Sequence, residues 1–212
     1  SRPWDYHGVG SFDAVSGKLP VAGESFSSVF GRVLCDMAQD DDRICAVTAA
    51  MEDGTGLGAF SAKYPSRFFD VGIAEEHAVA MASGMAAQGA KPVFAVYSSF
   101  LQRGYDQLIH DVAIAGNHVV FAVDRAGLVG ADGETHQGVF DVPYLLSIPG
   151  IKVYAPSSFS ELESAARQAF YHENGPVAVR FPRGSEQRYK ENTFPASAVC
   201  LKEGSDVTLI SY

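Results

Sequence analysis

Apolar positions in the first quarter of the chain follow a helical period. Phe26, Val29, Phe30, Val33, Leu34 and Met37 recur three and four residues apart, and Ser25 stands where an N-cap belongs. The period then changes. RICAVT (43–48), RFFDV (67–71), KPVFAVY (91–97), HVVFAV (118–123), IKVYA (151–155) and PVAVRF (176–181) are short and nearly uniformly apolar, as strands buried on both faces are. Helical patterns separate them. An Ala-rich helix follows the second strand and stops at Gly89, and an amphipathic helix is predicted over FLQRGYDQLIHDVAIAG (100–116). A short helix surrounds VPYLLSI, and another opens at Ser158 with Glu161 three residues on, a capping-box spacing. MEDGTGLGAF (51–60) reads as a glycine-rich loop, and DRAGLVGADGETHQG (124–138) as a long polar one. Strands alternating with helices predict an α/β fold, a parallel sheet with helices on both faces.

The ends read differently from the middle. The first 25 residues are a Gly-, Pro- and Ser-rich linker, and DVTLISY (206–212) is an alternating strand pattern with nothing after it to pair with. Both read as cuts through a longer polypeptide. The predicted organisation is a linker over 1–25, a domain over 26–184, and a linker plus the first strand of another domain over 185–212.

Bulk properties narrow the function classes. With 212 residues, 47% hydrophobic and 19% charged, the chain is an ordinary globular one. A net charge of −9 argues against nucleic-acid or anionic-membrane surfaces, which need clustered Lys and Arg. The three cysteines, Cys35, Cys45 and Cys200, lack metal or redox spacing and read as reduced, buried thiols of a cytoplasmic protein. No apolar run is long enough to span a bilayer. GTGLG near residue 56 lacks the GK[ST] ending of a phosphate loop and does not match GxGxxG, and no metal site is expected in the chain.

In open parallel sheets, ligands sit beyond the carboxyl ends of the strands. Glu75, Tyr97, Phe100, Asp124, Arg125, the loop to His136, and Arg183 all lie just past a predicted strand end. Each also has a structural reading. Glu75 and Glu76 complement a helix dipole from the first turn, which accounts for Glu76. Glu75, flanked by Ala74 and Ala78, has little room for water and so needs a strong partner or a raised pKa. The 124–138 loop can be a glycine-turned surface excursion, although loops of that length in compact domains are mostly functional. Arg125 and Arg183 are either surface ion-pair partners or a forked phosphate clamp. Tyr97 and Phe100 read as core aromatics, His77, His110, His118 and His172 as structural or exposed, and His7 as an incidental linker residue.

FDVGIAEEHAVAMASGMAAQGAKPVFAVYSSFLQRGYDQLIHDVAI, DRAGLVGADGETHQGVFD and VAVRFPRG together closely resemble the 1-deoxy-D-xylulose-5-phosphate synthase family of the transketolase superfamily. The likeness runs from WDYHGV to DVTLISY. It implies a transferase that condenses pyruvate with glyceraldehyde 3-phosphate, releases carbon dioxide, and makes an isoprenoid and thiamine precursor. It implies thiamine diphosphate as cofactor, Mg2+ held in a diphosphate-binding domain outside this chain, and a homodimer. The chain would then be the pyrimidine-binding domain with its flanks, inactive alone.

The resemblance also assigns roles. Glu75 matches the glutamate that shares a proton with the aminopyrimidine, so that the imino nitrogen can remove the thiazolium proton. Phe100 matches the ring that stacks on the pyrimidine, with Ile73, Met51 and Arg103 beside it. Arg125 and Arg183 match the grip on the acceptor phosphate, with Tyr97 and Asp132 as further substrate contacts. His136 matches an acid/base group at the carbonyl, and His7 a linker histidine that reaches the site. Two positions depart from the family: Glu76 where it often has Gln, and Glu52 where it usually has a basic residue. Two alternatives remain at this point. One is the β chain of a 2-oxoacid dehydrogenase, which would lack GADGETHQG. The other is a non-catalytic binding module, in which Glu75→Ala would leave turnover intact.

Overall fold

The runs that read as uninterrupted apolar strands become the inner strands of a six-stranded parallel sheet in the computed structural model. It describes residues 12–17, 23–187, 190–194, 200 and 202–209. The inner strands are β1 (Ile44–Thr48), β3 (Lys91–Tyr97), β4 (Val120–Asp124) and β6 (Val177–Arg180). The edges are β2 (Phe68–Asp70) and β5 (Lys152–Tyr154), in the order β2-β1-β3-β4-β6-β5. Inner strands are buried almost throughout and edge strands only in part, because a strand between two neighbours and under two helical layers has no side facing water. Register brings Thr48 beside Asp70 and Ala95, Tyr97 beside Asp124, and Val123 beside Arg180.

Alternate side chains of each strand serve opposite layers, as the two-residue period requires. Val93 and Ala95 face α1 (Phe26–Asp40) and α7 (Phe159–Tyr171), whereas Phe94 and Val96 face α3 (Glu75–Ala87) and the helical segment after β3. Ser25 caps α1 by accepting from the Ser28 amide, with Ser28 Oγ answering the Ser25 amide. Ser158 caps α7 by accepting from the Glu161 amide at 3.2 Å. The Glu161 carboxylate accepts from the Ser157 amide and from Thr193, binding the start of α7 to the following segment.

Three expectations are corrected. The predicted glycine loop contains a short helix, α2 (Gly58–Lys63), which no side chain caps. The loop before it packs backbone to backbone on α1: a Cβ on Gly31 would sit 2.0 Å from the Gly56 carbonyl oxygen. The segment over 100–116 is not one regular helix. It runs as α4 (Ser98–Leu101), a 3₁₀ turn, α5 (Tyr105–Gln107) and a π-helical stretch (Leu108–Ala113), wrapped closely on α3 with Gly104 against Val79. Finally, Cys35 and Cys45 are buried as expected but Cys200 is exposed. Residues 206–209, inside the predicted terminal strand, have no strand partner among the described residues, as a strand belonging to another domain would have none. A strand needs a neighbour to complete its ladder, and none of the described residues supplies one. One further helix, α6 (Asp141–Leu146), lies between β4 and β5, and α7 lies between β5 and β6. No helix among the described residues is long and apolar enough to cross a membrane.

Candidate active site

The chain leaves β1 for one edge of the sheet and returns to β3 on its other side, so the strand order reverses there and a crevice opens beyond the carboxyl ends. Two loops form its floor. Asp70, at the end of β2, accepts from the Ala50 amide at 2.8 Å and from the Gly72 amide at 2.9 Å through one oxygen. Ala50 is held with φ at +59°, a strained left-handed conformation for a residue with a Cβ. Asp70 thereby fixes Met51, which is buried, next to the segment carrying Ile73, which is 82% exposed.

Glu75 is the first residue of α3 and only 2% exposed. Its partner is Arg103, whose guanidinium pairs with Oε1. The same guanidinium lies over the Phe100 ring, 4.8 Å from its centre. Burial of a carboxylate is tolerable when a charge-assisted bond replaces its water, and Arg103 provides that bond while remaining 48% exposed itself. Glu76 points into solvent. Phe100 stacks on Tyr97 with ring centres 5.6 Å apart and meets the edge of His136 at 5.1 Å. The Tyr97 hydroxyl closes on Gly54, where a Cβ would come within 2.0 Å of it.

Beyond β4 the polar loop is ordered by its own side chains. Gly127 and Gly138 pair across its neck through two backbone hydrogen bonds of 2.7 and 2.8 Å. Gln137 fills the interior, accepting from the Val129 amide and donating to the Val129 and Gly133 carbonyls. Two 3₁₀ turns, Gly130–Asp132 and Glu134–His136, present Asp132 and His136 to the crevice side. The Thr135 hydroxyl and His136 Nδ1 are 2.7 Å apart.

Asp132 joins the two arginines. Its Oδ2 pairs with Arg125 Nη1, and its Oδ1 lies 3.4 Å from Arg183 Nε. The Arg125 guanidinium also sits 4.0 Å from the centre of the Tyr97 ring. Arg125 has φ of +57°, so it is, like Ala50, a non-glycine residue in the left-handed region. That backbone is held by its neighbour: Asp124 Oδ1 accepts from the Arg125 amide at 2.7 Å, and Asp124 Oδ2 from the Ser27 hydroxyl of α1 at 2.6 Å. Asp124 is 1% exposed, and burial pushes its carboxyl up to about 6 against the hydrogen bonds that favour the charge. Burial likewise raises the Tyr97 phenol, partly offset by Arg125.

The sequence-predicted residues therefore fall into two adjoining groups. Glu75, Arg103 and Phe100 meet in one part, with Met51 in the core cluster that Phe100 packs against and Ile73 exposed just before α3, and Tyr97, Arg125, Asp132 and Arg183 form the other, with His136 touching Phe100 between them. His7 lies outside the described residues. His77, His110 and His172 are exposed, and His118 bonds the Gly175 carbonyl at 2.9 Å, in line with structural readings. Sequence reasoning missed Asp70, Gln137 and Ser27. A carboxylate closing an apolar strand was a visible sign for Asp124, but Ser27 is 97 residues away from it and carries no local signal.

Comparison with known proteins gives a consistent picture. Residues 23–187 match the family model described as transketolase, pyrimidine binding domain. The chain is 54% identical over 189 residues to 1-deoxy-D-xylulose-5-phosphate synthase 2 of Geobacter sulfurreducens, covering 87% of this chain and 30% of that protein. It is 50% identical over 216 residues to 1-deoxy-D-xylulose-5-phosphate synthase of Desulforudis audaxviator, covering 99% of this chain and 34% of that one. The chain thus spans about a third of the length of the curated relatives it matches. Among solved structures, a split-gene transketolase described as an inactive β4 tetramer superposes with a TM-score of 0.73 at 24% identity, over 87% of this chain and 60% of that one. Transketolase from Leishmania mexicana does so at 0.70 and 21%, over 82% and 28%. At such identities the structural likeness speaks to fold alone.

Proposed function

The chain belongs to the transketolase pyrimidine-binding domain family, and from that premise we propose that it is the pyrimidine-binding third of a 1-deoxy-D-xylulose-5-phosphate synthase. The reaction is the condensation of pyruvate with glyceraldehyde 3-phosphate and release of carbon dioxide. The observation that carries the reading is the convergence, at one sheet edge, of a buried carboxylate with an aromatic face and of two guanidinium groups on one anion.

The first group fits an aminopyrimidine. Phe100 offers an aromatic ring, Ile73 and Met51 offer apolar surface, and Glu75 offers a carboxylate in a place where water does not compete. Bound thiamine diphosphate supplies the nucleophilic carbon and the electron sink. Glu75 would share a proton with a ring nitrogen of the bound cofactor, an interaction strengthened by the desolvation of the carboxylate. Arg103 engages one oxygen and fixes the carboxylate's orientation, leaving the second for the ring. Mg2+ and the diphosphate belong to a domain outside this chain, and a homodimer in the cytoplasm is part of the same reading.

The second group fits a phosphate. Asp132 draws Arg125 and Arg183 together, an arrangement that suits a grip on a phosphate, and it would stand beside the acceptor as a further contact. Tyr97 carries Arg125 on its ring, and His136 lies beside Phe100, which supports a role for it in moving a proton at the acceptor carbonyl. Pyruvate has no phosphate. Arg183→Ala in the full-length synthase is therefore expected to raise the KM for glyceraldehyde 3-phosphate about 10- to 100-fold and to leave that for pyruvate nearly unchanged. Equal losses for both substrates would refute the clamp.

A further inference from the structure

Asp124 is a buried acid to which the proposed reaction gives no task. It lies beneath the arginine pair at the end of β4, 1% exposed, with both oxygens engaged by neutral donors, the Ser27 hydroxyl and the Arg125 amide. The arginine side chains beside it are paired to Asp132, so no ion pair among the described residues neutralises Asp124, although the Arg125 charge acts on it. It remains within their field: the Tyr97 phenol feels Arg125, Asp124, Asp132 and Arg183 together.

The groups facing Asp124 are Ser27 from α1, Tyr97 from β3, and Arg125 and Asp132 from the loop after β4, with Arg183 beyond Asp132. With Asp124 ionised, the two arginines and two aspartates are neutral overall. With Asp124 protonated, they leave one positive charge for an arriving anion.

We propose that Asp124 is a proton-linked charge partner of the Arg125–Arg183 anion site: anion binding there draws a proton onto Asp124, and protonation of Asp124 tightens anion binding. The inference rests on the phosphate-clamp reading above. Its geometry needs no rearrangement, because a serine hydroxyl can donate to a carboxylate or turn and accept from a carboxylic acid. The Arg125 amide keeps its acceptor, Oδ1, in both states, so the strained backbone that aims the guanidinium survives the change of charge. Burial places the titration near neutrality, at about 6, where an anion's field can shift it across the working range.

The test is calorimetric titration of the chain with sulfate, a dianion that does not titrate in the range used, between about pH 5.5 and about pH 8. Buffers of different ionisation enthalpy are compared, so that proton uptake is counted directly. Affinity is expected to rise about tenfold toward the acid end with net proton uptake. Asp124→Asn, which keeps both hydrogen bonds without the charge, is expected to bind at the tight limit throughout and to take up correspondingly less proton. Whatever His136 contributes is common to both proteins and cancels in the difference. Ser27→Ala, which removes a donor to the ionised form, is expected to move the midpoint to higher pH. Identical pH dependence and proton uptake in the parent and Asp124→Asn would overturn the proposal while leaving the clamp intact. Failure of sulfate to bind either protein, or binding untouched by Arg183→Ala, would remove the clamp and this inference with it.

Discussion

The two ends of the sheet each hold a carboxylate between two cations, and the pairs are built for different purposes. At the amino end, Asp41 accepts a fork from Arg43, with Nε and Nη2 each at 2.8 Å, and a further bond from Lys91 at 3.0 Å. Its partners stand at strand starts: Arg43 precedes β1 and Lys91 opens β3, while the Arg67 guanidinium donates to the Asp41 carbonyl. The Arg43 fork holds the Asp41 carboxyl well below the usual range against the cost of its burial, with Lys91 adding to the effect. At the carboxyl end, Asp132 stands on a glycine-rich loop, one of its arginines has a left-handed backbone, and a second carboxylate, Asp124, is held above its ordinary range by burial. Satisfied, unstrained charges at strand starts tie elements together. Strained charges on loops at strand ends are where the proposed anion site lies.

Substitutions can break this contrast, beginning with the greatest expected effect. Arg125→Ala should weaken sulfate or phosphorylated acceptor about 10- to 100-fold while thermal unfolding shifts little, since Arg125 serves a site more than a core. Calorimetry and a melting curve on the same sample check both halves. Asp41→Ala should do the reverse, costing about 1–3 kcal/mol in denaturant unfolding with anion affinity unchanged, because it leaves Lys91 without its carboxylate and two strand starts untied.

The pH dependence of stability should separate the same regions. Burial of Glu173 works against its charge, yet bonds from Lys152, Tyr154 and Gln168 bring its carboxyl down to about 2. A lowered carboxyl contributes stability above its unfolded value that is lost as pH falls toward about 2. Asp124 runs the other way. Raised from 3.8 to about 6, it favours the folded state fully below 3.8 and loses that contribution as pH rises through about 6. Asp124→Asn should therefore flatten the decline between those values in denaturant titrations, and Glu173→Gln should flatten the acid limb instead. The smallest effect is expected of Glu76→Gln, where solvent screens the charge: rates should change by less than about twofold.

Sequence pattern reached the fold because α/β alternation is a local signal with a global consequence. Once the strands are parallel and joined through helices, their carboxyl ends must share one edge, and the candidates past them must meet there. Ser25 and Ser158 were legible as caps for the same local reason. The regions that were not legible depend on tertiary contacts. The π-helical stretch is set by how 98–113 wraps α3, and α2 has six residues and no capping side chain. The Glu75–Arg103 pair, Asp132 between two arginines, and Ser27 beneath Asp124 each join residues whose closeness no periodicity encodes.

The central claim is that a carboxylate shut away from water at the start of α3 governs proton traffic on a bound aminopyrimidine. The most direct measurement is hydrogen–deuterium exchange at the thiazolium carbon of thiamine diphosphate in the full-length synthase, with and without Glu75→Gln. Exchange is expected to slow by about 100-fold or more in the variant, with the cofactor still bound. Exchange at the parental rate in a variant that binds the cofactor would contradict that claim.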